Sequence, residues 1–310
     1  MIVTLTMNPA VDKTILVPRL EAGQVHRVRE SQLDPAGKGI NVSRLVDRLK
    51  WPTIAFGFLA GEVGLLVERT LAEEGVPSHF LRVLGQTRLN VTVFDEELGQ
   101  GTSFYDQGPW VAPERLQALQ RDLEPWLKAT KLFVLAGSLS PGIPDGAYAE
   151  LIRLARSAGV RPILDAAGEP LRLGVAAGPY LVKPNVQEAE ELLGRPLRDV
   201  PAVIAAAREI AGLGVEVALI SMGARGAVAA SGAQTWLAVP PTVERRSTVG
   251  SGDSMVAGLA VALAGDGTLV DALRLGTAAG AATAMVPGTA LGSPEDIAEL
   301  LPRVRVEELA

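Results

Sequence analysis

The stretch Thr248-Val-Gly-Ser-Gly-Asp-Ser254 puts three small residues and one carboxylate directly before an apolar, helix-compatible run, 255–263. A turn of this kind leaves backbone N–H groups free at the start of a helix, where the positive end of the helix dipole favours an anion. Asp253 then lies beside that anion, and the same dipole is expected to keep it ionised. A proton acceptor next to a phosphate cradle is what phosphoryl transfer to a hydroxyl requires. Taken alone, the stretch also reads as a glycine-rich loop closed by an ordinary helix cap.

Other segments carry compatible chemistry. Gly37-Lys-Gly39 opens an amphipathic helix in which Val42, Leu45, Val46 and Leu49 share one face. Its backbone could receive an anion, with Lys38 adding charge, although its spacing matches neither the common nucleotide-cradling loop nor the dinucleotide fingerprint. Asp12 follows an Asn-Pro turn and suits either the turn itself or sugar hydroxyls. Arg88 with Asn90, and Arg27 on a polar alternating piece, could meet a phosphate or simply be solvated. In Lys183-Pro-Asn-Val-Gln-Glu188, Asn185 and Glu188 have the spacing of a capping box, which is also compatible with organising magnesium and phosphates. Ser221-Met-Gly-Ala-Arg-Gly226 brings two glycines to a sharp turn or to a flat ligand.

These segments need elements to hold them. Strand-like runs at 1–6, 53–58, 132–136, 162–165, 180–182 and 215–221 alternate with helical spacings. That rhythm implies an α/β fold with a mostly parallel sheet and helices on both faces. Pieces near 12–34 and 88–106, including a strand at 24–30 and a hairpin at 89–105, break the rhythm and are expected to form a small separate sheet. The whole chain, 1–310, then reads as a single domain. Such an appendage over the carboxyl ends of the strands could act as a lid that excludes water.

Composition narrows the partners. The net charge of −6 gives no general attraction to nucleic acid or anionic membranes, so a phosphate ligand needs a local cluster of bases. With no cysteine and only His26 and His79, thiolate catalysis, disulfides and His/Cys metal centres are excluded. The start reads as a strand and not as a signal peptide. The uncharged run 275–294 is too rich in Ala, Gly and Thr, and interrupted by Pro287, to span a bilayer. A cytoplasmic location is the expectation.

Taken in order, Asn8-Pro-Ala-Val-Asp12, Gly37-Lys-Gly-Ile-Asn41, Thr87-Arg-Leu-Asn90, Gly137-Ser-Leu139, Lys183-Pro-Asn185 with Glu188, Ser221-x-Gly-x-x-Gly226 and Thr248-Val-Gly-Ser-Gly-Asp253 resemble the PfkB family of carbohydrate kinases. Within it, the lysine–glycine and Thr-Arg-Leu-Asn segments resemble the phosphosugar branch. Two small departures stand out: Ser251 stands where many members of that family have Ala, and Ala36 where some have a further Gly. The resemblance implies a ribokinase-like fold, ATP and Mg²⁺ as cofactors, and a homodimer formed through the lid sheet. Asp253 would be the general base, with Gly250, Ser251 and Gly252 as the anion hole. Asn185 and Glu188 would organise Mg²⁺ through water, and Lys183, Ser221, Gly223, Gly226 and Gly280 would line the nucleotide site. Asp12, Gly37, Gly39, Asn41 and Asn90 would hold the sugar, while Lys38, Arg88, Arg27 and Ser138 would hold its phosphate. Fructose 1-phosphate is the first expected substrate, with tagatose 6-phosphate and fructose 6-phosphate as alternatives. A non-catalytic sugar-phosphate sensor on the same fold is the reading from another class.

Overall fold

The computed structural model describes residues 1–309. The first half contains β1 (Ile2–Thr6), β2 (Ala10–Val17), β3 (Glu30–Ala36), α1 (Lys38–Arg48), β4 (Thr53–Leu59) and α2 (Gly61–Glu73). β5 (Ser78–Arg82), β6 (Arg88–Asp95), β7 (Gln100–Phe104), α3 (Pro113–Leu127), β8 (Leu132–Ala136) and α4 (Ala147–Ser157) follow. Next come β9 (Arg161–Asp165), α5 (Gly168–Ala176), β10 (Leu181–Val182), α6 (Val186–Leu193), α7 (Val200–Gly212), β11 (Val217–Ser221) and β12 (Ala227–Ser231). The chain closes with β13 (Gln234–Val239), α8 (Ser251–Ala264), α9 (Leu269–Ala284), α10 (Pro294–Leu300) and β14 (Arg305–Leu309).

Among the described residues the strands form two sheets. The larger has the order β14-β13-β12-β11-β10-β9-β8-β1-β4-β5. It is parallel from β11 through β5 and antiparallel from β11 through β14. Its central strands β1, β4 and β8 are buried along their whole length, which is why they read as unbroken apolar runs and not as alternations. One face packs against α3, α4 and α7 through Leu119, Leu151 and Val203; the other packs against α1, α8 and α9 through Leu45, Leu259 and Ala278. The core is thus aliphatic and two-sided, the ribokinase-like arrangement.

Helices α8 and α9 lie unusually close. A Cβ at Gly258 would meet Leu275 O at 2.7 Å, so only glycine allows this crossing. The close approach fixes the direction of α8, whose N-terminus points to the carboxyl ends of the parallel strands. Strand order reverses there, since β4 and β5 follow β1 on one side and β8 to β11 on the other, and this is where open α/β sheets bind ligands.

The second sheet, β3-β2-β6-β7, is mixed: β2 pairs parallel with β6, and the outer pairs are antiparallel. The strand expected at 24–30 is displaced. Residues 30–36 form β3 instead and pair with β2 from Leu16 to Ala10, while 24–29 belong to the connection. Alternation alone does not make a strand; 24–30 lacks the partner that β2 gives to 30–36. The run 275–294 contains the end of α9, and no helix among the described residues is long and apolar enough to cross a membrane.

Candidate active site

Gly250 caps α8 with φ 76°, a left-handed conformation that glycine adopts without strain. Ser254 is the first residue of this turn to bond firmly back, to Gly250 O at 2.8 Å. The N–H groups of Gly252 and Asp253 find no carbonyl partner among the described residues, so they remain available to an anion. The cradle inferred from the small residues therefore has a physical basis. A Cβ at Gly252 would lie 3.6 Å from Lys183 Nζ, which places an ammonium group at its mouth. The hydroxyl of Ser251 is also buried without a partner.

Asp253 itself is 8% exposed and accepts a hydrogen bond from Asn41 Nδ2 at 2.8 Å. Its pKa is raised to about 6, first by burial and then by the negative charge of Asp165. Lys38, Lys183 and the Asn41 hydrogen bond pull in the opposite direction and lose. The helix dipole was expected to keep this carboxylate ionised; burial raises its pKa, and at neutral pH it is still mostly ionised. The result is a buried carboxylate that titrates near neutral pH.

Asp165, at the carboxyl end of β9, carried no signal in the sequence and is central to the site. Its side chain, 1% exposed, contacts Lys38 Nζ at 2.8 Å and Lys183 Nζ at 3.2 Å. Burial opposes its charge, yet the two ammonium groups hold its pKa below the usual carboxylate range. Burial likewise opposes the charge of Lys38, but Asp165, Glu188 and Asp253 outweigh it and hold Lys38 above the ordinary lysine value. One buried carboxylate thus clamps two cations beside Asp253. Lys38 comes from the α1 N-terminus and Lys183 from the end of β10.

The clamp, Asp253 and the Gly252 turn open on one cavity of about 590 Å³. Asn185, Glu188, Ser221, Gly223, Gly226 and Gly280 line it too. Asn185 and Glu188 form the capping box of α6: Asn185 Oδ1 accepts from the Glu188 N–H, and Glu188 Oε2 accepts from the Asn185 N–H. Glu188 Oε1 stays 3.8 Å from Lys38 Nζ. No cluster of three or more acidic or histidine residues among the described residues is arranged to cage a metal. This donor set fits a magnesium ion held largely by water and phosphate oxygens, as is usual for that ion.

A second cavity, about 430 Å³ and more open, is lined by Asn8, Arg88, Asp106, Gln107 and Ser138 among others. Arg88 donates to Asn8 O at 2.6 Å, while its Nε and Asn8 Oδ1 are buried without partners. Asp12, on β2, lines neither cavity and accepts from Asn90 Nδ2 at 2.8 Å. Burial raises the Asp12 pKa against the opposing effects of Asn90 and Arg88. Gly37 caps α1, and Gly39 lies buried in its first turn.

The structure brings together Asp253, Gly252, Ser251, Asn41, Lys38, Lys183, Asn185 and Glu188. Of the residues that the resemblance grouped on the sugar phosphate, Lys38 lines the larger cavity and Arg88 and Ser138 the smaller, although Gly137, next to Ser138, lies against Lys38. Arg27 is exposed on the β2–β3 connection and lines neither cavity. Asn8 and Gln107, absent from the expected set, join Arg88; the Asn8-Pro turn that opens the Asp12 motif was the available signal for the first of them.

Known proteins resemble this chain along nearly its whole length. The sequence model described as pfkB family carbohydrate kinase matches residues 5–296. A 1-phosphofructokinase from Rhodobacter capsulatus is 40% identical over 309 residues, covering 99% of this chain and 98% of the relative. A 1-phosphofructokinase from Escherichia coli strain K12 is 33% identical, covering 99% and 98%. Among solved structures, phosphofructokinase-2 from Escherichia coli in complex with fructose-6-phosphate is 31% identical, superimposes with a TM-score of 0.88, and covers 97% of this chain and 98% of that one. The chain belongs to the PfkB family of carbohydrate kinases.

Proposed function

We propose that this protein transfers the γ-phosphoryl group of ATP to a hydroxyl of a phosphosugar, with fructose 1-phosphate as substrate and fructose 1,6-bisphosphate as product. The observation that carries the reading is Asp253: a buried carboxylate with pKa about 6, set at a helix N-terminus whose N–H groups are free, beside two clamped lysines. The names of the relatives from Rhodobacter capsulatus and Escherichia coli support the choice of sugar.

In this reading Asp253 takes the proton of the attacking hydroxyl while its oxygen bonds to the γ-phosphorus and the bond to ADP breaks. The Gly250–Gly252 turn, Lys38 and Lys183 stabilise the charge on the transferring group, the contribution that dominates phosphoryl transfer. Asn185 and Glu188 would hold Mg²⁺ through water, and the ion would supply neutralisation of charge on the phosphate oxygens. Ser221, Gly223, Gly226 and Gly280 line the nucleotide. Asp12, Asn41 and Asn90 hold the sugar, with Gly37 and Gly39 letting the backbone come close. Arg88 and Ser138 hold the phosphate already on it. The small sheet acts as a lid that excludes water during transfer.

Fructose 6-phosphate is the second reading, because the solved relative named above binds it. A catalytically silent sensor is disfavoured, since a pure binder has no use for a base tuned near neutral pH.

Initial rates of ADP release with fructose 1-phosphate, fructose 6-phosphate and tagatose 6-phosphate test the substrate assignment. The highest kcat/KM is expected for fructose 1-phosphate; a higher value for either competitor overturns that choice. Arg88→Ala is expected to raise the phosphosugar KM by about 10–100-fold, the loss of a charge-assisted contact, and to leave the KM for ATP near wild type. An increase confined to the KM for ATP would remove Arg88 from the sugar-phosphate site.

A homodimer through the small sheet belongs to the same reading. Leu33, Leu89 and Phe104 are exposed on one of its faces, an apolar patch that a second copy would cover. Sedimentation at micromolar concentration is expected to give a dimer that Leu89→Lys dissociates. A wild-type monomer would refute the assembly.

A further inference from the structure

The connection between α9 and α10, residues 285–293, touches several parts of the site at once. Gly288 turns it with φ 65°, and the Gly288 carbonyl accepts from Ser247 Oγ at 2.7 Å, just ahead of the Gly250 turn. Leu291 packs on that turn: a Cβ at Gly250 would lie 3.1 Å from Leu291 Cδ2. The Leu291 carbonyl accepts from Arg48 at 3.1 Å, at the end of α1, the helix that supplies Lys38 and Asn41. Gly292 donates to Thr283 Oγ1 at 3.0 Å, and Thr283 pairs with Ser254 Oγ of α8 at 2.6 Å. The connection is thus fastened to the phosphate cradle at several points.

Thr289 reaches the other way. Its hydroxyl donates to Asp34 Oδ2 at 2.5 Å, on β3 of the small sheet and 255 positions away. The second carboxylate oxygen accepts from Gln32 Nε2 at 3.0 Å. Asp34 stands directly opposite Asp12 in the antiparallel β2–β3 pair, so the two carboxylates share a face. Burial raises the Asp12 pKa, and the Asp34 charge adds to that rise. No other hydrogen bond among the described residues joins the small sheet to this connection.

We infer that Thr289 and Asp34 are positioning residues for phosphoryl transfer: their hydrogen bond holds the sugar-bearing sheet at a fixed distance from the phosphate cradle. This rests on the kinase reading given above. Each half of the site is built without the bond. Asp12 and Asn90 pair with each other on the small sheet, and Gly250 shapes the cradle. What the bond sets is the approach of the acceptor hydroxyl to the γ-phosphorus, and rates depend steeply on that approach. When the acceptor stands too far off, water takes its place and ATP yields ADP and inorganic phosphate instead.

The test uses Thr289→Val, which keeps the shape and removes the oxygen, with Thr289→Ser as the conservative partner. Steady-state kinetics give kcat and both KM values, and parallel assays count ADP and sugar bisphosphate. Thr289→Val is expected to lower kcat about 10-fold to 100-fold, the cost of a misplacement of about 1 Å. Both KM values should stay near wild type, and ADP should exceed bisphosphate, where the wild type makes them one for one. Asp34→Ala should show the same loss and the same excess of ADP, and Thr289→Ser should restore both. Adding Thr289→Val to Asp34→Ala should slow the enzyme no further, because the two side chains act through one contact. Wild-type kcat and product ratio in Thr289→Val overturn the inference and leave the kinase reading intact. So does a raised KM with a one-for-one ratio, or a fully additive loss in the double variant. Wild-type protein that releases no ADP with fructose 1-phosphate, fructose 6-phosphate or tagatose 6-phosphate overturns both.

Discussion

Asp253→Asn is expected to lower kcat by roughly 10²–10⁴-fold, the range for removal of a positioned general base. The amide keeps the Asn41 hydrogen bond, because its oxygen still accepts. Structure and ATP binding should therefore survive. The sign of the stability change also follows. Asp253 has its pKa raised in the folded protein to about 6, so it contributes most below its unfolded value of 3.8 and that contribution is lost as pH rises through 6. At pH 7 the native protein carries the cost of an ionised buried carboxylate. Asp253→Asn removes that cost and is expected to unfold at the same or a higher temperature. The pH profile supplies a second signature. In the wild type, kcat/KM should fall by about tenfold per unit below pH 6, as the base becomes protonated. Near-normal turnover by Asp253→Asn, or a profile flat to pH 5, would remove Asp253 from the role of base.

The second large effect belongs to Asp165. Asp165→Ala strands two ammonium groups that the carboxylate now satisfies, and breaking a buried ion pair in this way costs about 3–5 kcal/mol. Chemical denaturation should register that loss. Asp165→Asn is milder and more informative, because the Asp165 charge is the second cause of the raised pKa of Asp253. Neutralising it should shift the acidic limb of kcat/KM to lower pH, and should weaken ATP binding as Lys38 and Lys183 lose their common anchor. An unmoved limb would mean that the Asp165 charge does not reach the base. Stability equal to wild type in Asp165→Ala would mean that the lysines find other partners.

These two residues mark the limits of what the amino-acid sequence discloses. Asp253 was legible because its chemistry is local: glycines, a carboxylate and the start of an apolar helix lie within a few positions. The Asn185–Glu188 capping box was legible for the same reason. Asp165 was not, since its role arises only when parallel pairing of β8, β9 and β10 carries it between Lys38, 127 positions away, and Lys183. The resemblance grouped Lys38 with Arg88 on one phosphate, but they come from α1 and β6 and line different cavities. The parallel sheet declared itself through buried apolar runs. The strand placed at 24–30 did not survive, because alternation fixes which side chains share a face and says nothing of which strand supplies the partner. The edge strands β13 and β14 and the helices α9 and α10 lie outside the strand–helix rhythm read from the sequence. The Ala- and Gly-rich α9 shows little periodicity, and Gly258 and Gly276 reveal their purpose only when α8 and α9 are seen in contact.

The most direct test of phosphoryl transfer is ³¹P NMR of the wild-type protein with ATP, Mg²⁺ and fructose 1-phosphate. The expected spectrum gains a second phosphomonoester signal on the sugar as ATP converts to ADP, one for one, and Asp253→Asn leaves the starting signals unchanged. ADP with inorganic phosphate but no bisphosphate, or the same product from Asp253→Asn, would contradict the account.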